Sequence, residues 1–395
     1  MIPISHKTKK RMALLITTTI GMLVTFTFNI LLQSRFREVG ASIFVISLIS
    51  TVNGGMSTIS GAVWGSISDE YKNRKPLLLL SIGLTAITFP LFLLSDNPLV
   101  LLVFLGVLAF FKKGLQPISM ALATEYADDD IRSNSRELAL LNTSFSLGMF
   151  VGRVALSYFF LDNSPKEAIM IFCFISWIPL ISGTFIREGN RKTQKKKSKN
   201  ILHRLFPIVS DYTPLKKNGL WAIYLGSFIR QFGISGTMAA ILIFMTENLL
   251  LSYSVAVLLS SLNPMFQMIS HLMSGKIITK TGPRKSMAGG ILFSSLTPIL
   301  FFFATDWRFM AAGYLSLGLA YGAFINGAST FISLNCPPER KAEFMGLLTS
   351  VRSLGVMIGP VFSGIIANYS FDWMFIIMNV IMVFAAIMVL LNTKE

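Results

Sequence analysis

The sequence predicts an all-α integral membrane protein with twelve transmembrane helices arranged as two six-helix repeats. Three observations carry this reading. Of 395 residues, 53% are hydrophobic and only 14% charged, whereas soluble domains carry about 25% charged residues. The apolar residues gather in twelve runs, each near the roughly 20 residues that a span needs. A pattern of glycines and basic residues at Gly65–Lys75 returns at Gly275–Lys285. Helices follow because lipid-exposed backbone must satisfy its own hydrogen bonds, and the alternating pattern of an outer-membrane barrel is missing. Cys173 and Cys336 lie in or beside apolar runs and offer neither a disulfide framework nor a metal-ligand spacing.

The first span, 12–34, follows Lys7, Lys9, Lys10 and Arg11. A signal peptide can begin this way. Here no small-residue cleavage site follows and Asn29-Ile30-Leu31-Leu32 continues the run, so the helix is retained. Span 2, 43–67, runs out at Trp64-Gly65. A tight charged link then carries Asp69, Lys72, Arg74 and Lys75 before Pro76 opens span 3, 76–95. Spans 98–123, 138–161 and 167–186 complete the first half, residues 1–186. Residues 187–218 include the basic run Arg191–Lys199 and read as a cytoplasmic linker and topology anchor. The second half, residues 219–395, holds spans 219–246, 253–275, 286–305, 308–334, 343–367 and 371–391.

Charge orients the chain. With a cytoplasmic N-terminus, 26 of the 35 Lys and Arg residues fall on the inside, four outside and five within spans. The positive-inside rule then places both termini in the cytoplasm. It also accounts for the net charge of +16 as an orientation signal beside anionic lipid, without nucleic acid. The two halves repeat: Gly65, Arg74 and Lys75 match Gly275, Arg284 and Lys285, with Thr279 in place of the acid Asp69. Gly148 and Gly152 in span 5 match Gly355 and Gly359 in span 11, where Pro360 and Gly364 follow. Internal duplication of this kind is a mark of secondary transporters, whose site lies near mid-membrane.

The Gly-x-x-x-Asp-x-x-x-x-Arg-Lys link, its copy, the basic central loop and the glycines of span 11 together resemble the major facilitator superfamily over the whole chain. The link departs from the usual family pattern in having Lys72 where glycine is common. The Gly-Pro pair of the drug-antiporter branch is Gly152-Arg153 here. The resemblance implies an inner gate: Asp69 facing the positive N-terminal end of span 11 near Glu343 and Phe344, and Arg74 meeting Glu125 or Asp128. It also implies that spans 1, 4, 7 and 10 line the central path.

Polar groups at membrane depth mark the candidate cavity, since intramembrane ionisable residues default to function. Lys112, Lys113, Arg153, Arg230 and Arg352 are the five intramembrane cations. Helical spacing puts Lys112 and Gln116 on one face of span 4, and Asn142, Ser146, Met149 and Arg153 on one stripe of span 5. Thr18, Met22, Thr25 and Asn29 share a face of span 1, Ser227 and Arg230 one of span 7, and Asn263, Gln267 and His271 one of span 8; Asn326 joins Ser329 or Thr330 in span 10. Competing roles stay open: snorkelling for Lys112 and Lys113, a structural bond for Arg153, the gate for Arg352 and packing for His271. The glycines Gly148, Gly152, Gly355, Gly359 and Gly364 allow close helix approach, and with Pro360 a bending point.

No phosphate loop or His-Glu-x-x-His motif occurs, so the chain reads as neither an enzyme nor an ATP-driven pump and needs no cofactor. The expectation is a monomeric, multi-pass transporter of the plasma or inner membrane. It would move a small-molecule substrate by alternating access, most readily as proton-coupled efflux of drug-like compounds. Glu125, Glu247 and His271 are the candidate proton carriers. The alternatives are a carrier of organic anions using the intramembrane cations and, more remotely, a non-transporting sensor or scaffold.

Overall fold

The computed structural model describes residues 6–70, 73–126, 131–159, 164–187, 213–336 and 341–394. Among them, ten helices are long and apolar enough to cross a membrane, or eleven if one bent pair forms a single span. The remaining sequence span is helix Ile131–Phe159, whose Glu137 and Arg153 dilute its apolar character. Among the described residues, each of the twelve apolar runs contains helix.

The chain divides into two compact units: Met1–Arg35 with Met56–Leu205, and Phe36–Gly55 with Phe206–Glu395. Phe36–Gly55, which the sequence groups with the first half, clusters with the second unit. The first unit takes in most of α1 (His6–Glu38) and the C-terminal part of α2 (Ile43–Glu70). It continues with α3 (Lys75–Thr88), α4 (Pro98–Lys112), α5 (Leu115–Tyr126), α6 (Ile131–Phe159), α7 (Pro165–Ile175) and α8 (Ile178–Thr184). Its core is built on Trp64, Leu78, Ile118, Leu122, Leu141 and Phe145. The second unit holds α9 (Leu220–Met238), α10 (Tyr253–Ser260), α11 (Leu262–Thr281), α12 (Pro283–Phe302), α13 (Trp307–Asn335), α14 (Lys341–Ala367) and α15 (Phe371–Asn392). Ile291, Phe324, Phe331, Phe344 and Val389 belong to one apolar core of this unit. Large apolar side chains such as Phe174, Trp373 and Leu391 stay exposed, as a bilayer-facing surface requires.

Several apolar runs that read as single helices are interrupted, and the sequence supplies the cause. Span 3 tightens into a 3-10 turn, Phe89–Leu93, at Pro90, and span 6 breaks at Ser176-Trp177 before Pro179. Span 8 breaks at Ser261 before Pro264. Proline lacks the amide hydrogen that would continue each ladder. Span 4 breaks instead at Lys113-Gly114, where a Cβ on Gly114 would lie 2.5 Å from Ser81 Oγ. Span 7 bends by 40° between Leu220–Met238 and Ile241–Asn248, the second part ending in a π turn. By contrast, α14 runs unbroken through Pro360.

The matched glycines do the same job in each unit. A Cβ on Gly148 would lie 2.1 Å from the Thr19 carbonyl oxygen, and one on Gly152 2.8 Å from that of Leu23, so α6 packs backbone to backbone on α1. In the second unit a Cβ on Gly355 would fall 2.7 Å from Phe228 O, and one on Gly359 2.3 Å from Phe232 O, so α14 packs the same way on α9. Gly364 faces Ser47, whose Oγ would sit 1.9 Å from its Cβ.

Candidate functional site

The charged link of the first unit is fixed by its basic residues. Arg74, 8% exposed, places Nη1 3.1 Å from Glu125 Oε1 at the end of α5. Of the two acids offered by the sequence, Glu125 is therefore the one seen at Arg74; Asp128 lies outside the described residues. Lys75 Nζ donates to the Thr184 carbonyl at 2.6 Å, at the C-terminal end of α8, where unpaired carbonyls attract a cation. The side chains of Gly65's neighbour Ser66 and of Asp69 and Glu343 lie outside the described residues, as do Lys72 and the linker 188–212.

The copy in the second unit is built differently. Gly282, at φ +80°, makes the turn between α11 and α12, a conformation that favours glycine. Gly275 has open space around it. Arg284 donates to the Leu390 carbonyl near the end of α15, so here the arginine, not the lysine, caps the last helix of its unit. Lys285 is exposed. Thr279 bonds back to the Lys276 carbonyl at 3.0 Å and substitutes for no acid.

The break in span 4 positions the two lysines. It opens the Phe110 carbonyl to side-chain donors and leaves the Phe111 carbonyl with a turn bond from Gly114 N at 3.2 Å. Trp64 Nε1 donates to Phe110 O at 3.0 Å, Ser60 Oγ donates to the same oxygen, and Ser81 Oγ donates to Phe111 O at 2.8 Å. Membrane helices tolerate such breaks only when side chains re-satisfy the backbone in this way. The break also shifts the register. Lys112 and Gln116 do not meet as one helical face; Lys113 Nζ reaches Gln116 Oε1 at 3.5 Å, and Lys112 Nζ donates to Asn29 Oδ1 at 2.9 Å. Lys112 borders a cleft of about 270 Å³, mouth included, with Thr25, Ser81, Thr85 and Ser176 among its lining residues. Arg153 is half-buried in α6 directly after the packing residue Gly152.

In the second unit the polar residues pair locally. Gln267 donates to Asn263 at 3.0 Å, and Asn326 to Ser274 at 2.6 Å. Arg230 is 1% exposed, inside the unit, with Nε and Nη2 at 3.2 and 3.0 Å from Ser294 Oγ and Nη1 at 3.3 Å from Gln231 Oε1. Its guanidinium carbon lies 4.5 Å from the Phe324 ring centre and 5.5 Å from that of Tyr321. Arg352 approaches the same two rings, at 5.8 and 5.9 Å, and donates to Tyr321 Oη at 3.0 Å. His271 meets Tyr321 edge-on at 5.5 Å. Each arginine–ring contact contributes about 0.5–2 kcal/mol. Removing a guanidinium from water costs several kcal/mol, so the rings offset only part of that cost.

The three candidate proton carriers occupy unlike settings. Glu125 faces Arg74, Glu247 pairs with Arg37 through two bonds on an exposed surface of the second unit, and His271 packs on Tyr321. Sequence reasoning missed Tyr321, Phe324 and Ser294, and the donors Ser60, Trp64 and Ser81. The spacing of Tyr321 and Phe324, three apart on one helix face, was the available signal.

Comparison with known proteins follows the same lines. The family model described as Major Facilitator Superfamily matches residues 14–229 and 223–395. The Multidrug resistance protein MdtG of Enterobacter lignolyticus is 26% identical over 359 residues, covering 86% of this chain and 80% of that protein. The Proton-coupled antiporter flippase LtaA of Staphylococcus epidermidis is 24% identical over 251 residues, covering 61% of this chain and 59% of that protein. Among solved structures, a mutant of the nucleoside transporter NupG superposes with a TM-score of 0.82 at 17% identity, covering 98% of this chain and all of that one.

Proposed function

The chain is a transporter of the major facilitator superfamily, and we propose that it exports small organic compounds by alternating access, driven by protons moving the other way. The observation that carries this is the similarity to a multidrug resistance protein across 86% of the chain. The similarity to a proton-coupled antiporter adds to it. Composition agrees: 33 Phe and 20 Met supply soft, adaptable walls for varied apolar cargo. In this reading residues 1–186 and 219–395 are the moving halves, 187–218 links them, and both termini face the cytoplasm of a plasma or inner membrane. The protein acts as a monomer. The Gly65–Lys75 link, with the Arg74–Glu125 pair, is the inner gate, and the proton is carried by Glu125, Glu247 or His271.

The test is retention of a fluorescent lipophilic dye in cells that overproduce the protein. Dye should leave faster than from control cells, and a protonophore should abolish the difference. Equal dye loss with and without the protein across a broad panel of compounds would refute export. Arg230 and Arg352 favour a second reading in which the cargo is an organic anion.

A further inference from the structure

We propose that Arg230, Arg352 and Tyr321 form a binding site within the second unit for the anionic group of a lipophilic organic solute: a carboxylate, sulfonate or phosphate on an apolar body. This rests on the transporter reading above and names a substrate class for it. Three observations carry it.

First, the site concentrates like charge. Two guanidiniums, from α9 and α14, converge on one aromatic pair in α13, with Arg230 4.5 Å and Arg352 5.8 Å from the Phe324 ring centre. Among the described residues no carboxylate pairs with either. Four other arginines differ. Arg11, Arg35, Arg37 and Arg74 each meet an acid, Glu137, Asp96, Glu247 and Glu125. Those four are neutralised, while Arg230 and Arg352 are held by neutral partners.

Second, donor capacity is left over. Arg230 bonds only the neutral acceptors Ser294 and Gln231. Arg352 bonds Tyr321 Oη, while its Nε is buried without an acceptor. A guanidinium offers five N–H donors in a fork that matches carboxylate and phosphate oxygens. An arriving anion supplies both the missing charge and the missing acceptors.

Third, the surroundings suit an apolar body. Phe324 belongs to the apolar core with Phe331, Phe344 and Leu348, and Tyr321 and Val351 pack against that core half-buried. Arg352 is half-buried as well, so the pair is layered, with Arg230 beneath and Arg352 at the accessible side. Tyr321 Oη accepts from Arg352, which orients the guanidinium for a ligand.

The experiment is equilibrium binding to the purified full chain in detergent, with four probes sharing one ring system: 2-naphthoate, naphthalene-2-sulfonate, 2-naphthol and a naphthylmethyl trimethylammonium salt. Naphthoate and the sulfonate should bind more tightly than the naphthol and the cation. R352Q should weaken the two anions about 30-fold or more, the range for truncating one side of a buried charged contact, and leave 2-naphthol unchanged. Y321F keeps the ring, removes the acceptor that orients Arg352, and should weaken the anions by a smaller factor. R308Q, at the N-terminal end of α13 roughly three turns from Tyr321, where Arg308 stacks on Trp307, should change nothing. Both R352Q and Y321F must elute as folded protein; R230Q, at a fully buried position, is secondary. Undiminished anion binding in folded R352Q overturns the proposal, and so does tighter binding of the cation. Inorganic phosphate alone, binding as tightly as naphthoate, overturns the organic-solute part. Because the readout is binding rather than flux, an inactive but anion-binding protein would refute the transporter reading and leave the site standing.

Discussion

Replacing Gly148 by alanine should destabilise the first unit, because the methyl group has nowhere to go. Its Cβ would stand 2.1 Å from the Thr19 carbonyl oxygen and 3.0 Å from the Leu23 amide nitrogen, both backbone atoms of α1. Neither can rotate away, so α6 and α1 must separate by on the order of 1 Å to restore ordinary contact. Overpacking of this kind costs about 1–3 kcal/mol, against which alanine's better helix propensity returns up to about 1 kcal/mol. With that return taken in full, the net loss is about 0–2 kcal/mol. Gly359→Ala should behave alike, its Cβ lying 2.3 Å from Phe232 O. Gly289 in α12 has nothing within 4 Å, so Gly289→Ala should be neutral or stabilising. The assay is heat-induced loss of monodisperse protein in one detergent at one heating rate, since membrane-protein unfolding is commonly irreversible. If Gly148→Ala and Gly359→Ala melt with or above Gly289→Ala, the packing argument is wrong. If they melt normally but lose transport, the glycines serve bending instead.

Asp69→Asn should impair transport more than Thr279→Ala, because only the first copy of the charged link carries an acid; equal, mild losses in a flux assay would contradict an asymmetric gate. Arg74→Gln and Glu125→Gln should each destabilise the first unit, and the double mutant should lose less than the sum of the two. Strict additivity in melting would mean that the 3.1 Å pair contributes no coupling. Ser60→Ala and Trp64→Phe each remove one of two side-chain donors to the Phe110 carbonyl. Each alone should cost about 0.5–1.5 kcal/mol, and both together more than the sum, because the carbonyl is then left unsatisfied; a double mutant as stable as the singles would show that the break needs no such support.

Much of the fold is legible in the chain because its signals are cheap and strong. Apolar runs mark every helix, and Gly148/Gly152 and Gly355/Gly359 announce close approach by their four-residue spacing, which the structure then spends on α1 and α9 in parallel fashion. Interruptions are legible in part. Pro90, Pro179 and Pro264 explain three of them, but the break at Lys113-Gly114 depends on Ser81 lying across from Gly114, a contact that no local pattern carries. That break is why the Lys112–Gln116 face dissolved and Asn29 became the partner of Lys112. The two candidate acids for Arg74, Glu125 and Asp128, come from the family resemblance, and the structure shows Glu125 at 3.1 Å. Tyr321 and Phe324 were missed because aromatic residues are so common here that two more raise no contrast. Only the tertiary placement of Arg230 and Arg352 against them gives them meaning.

Vesicles reconstituted with the purified protein, holding a pH dye inside and given a fluorescent lipophilic cargo outside, test the central claim most directly. With an imposed pH gradient, cargo should move against the proton flow and the internal pH should change in step, both ceasing when the gradient is collapsed. Cargo movement indifferent to the gradient, or proton leak indifferent to cargo, would contradict proton-coupled transport by this chain.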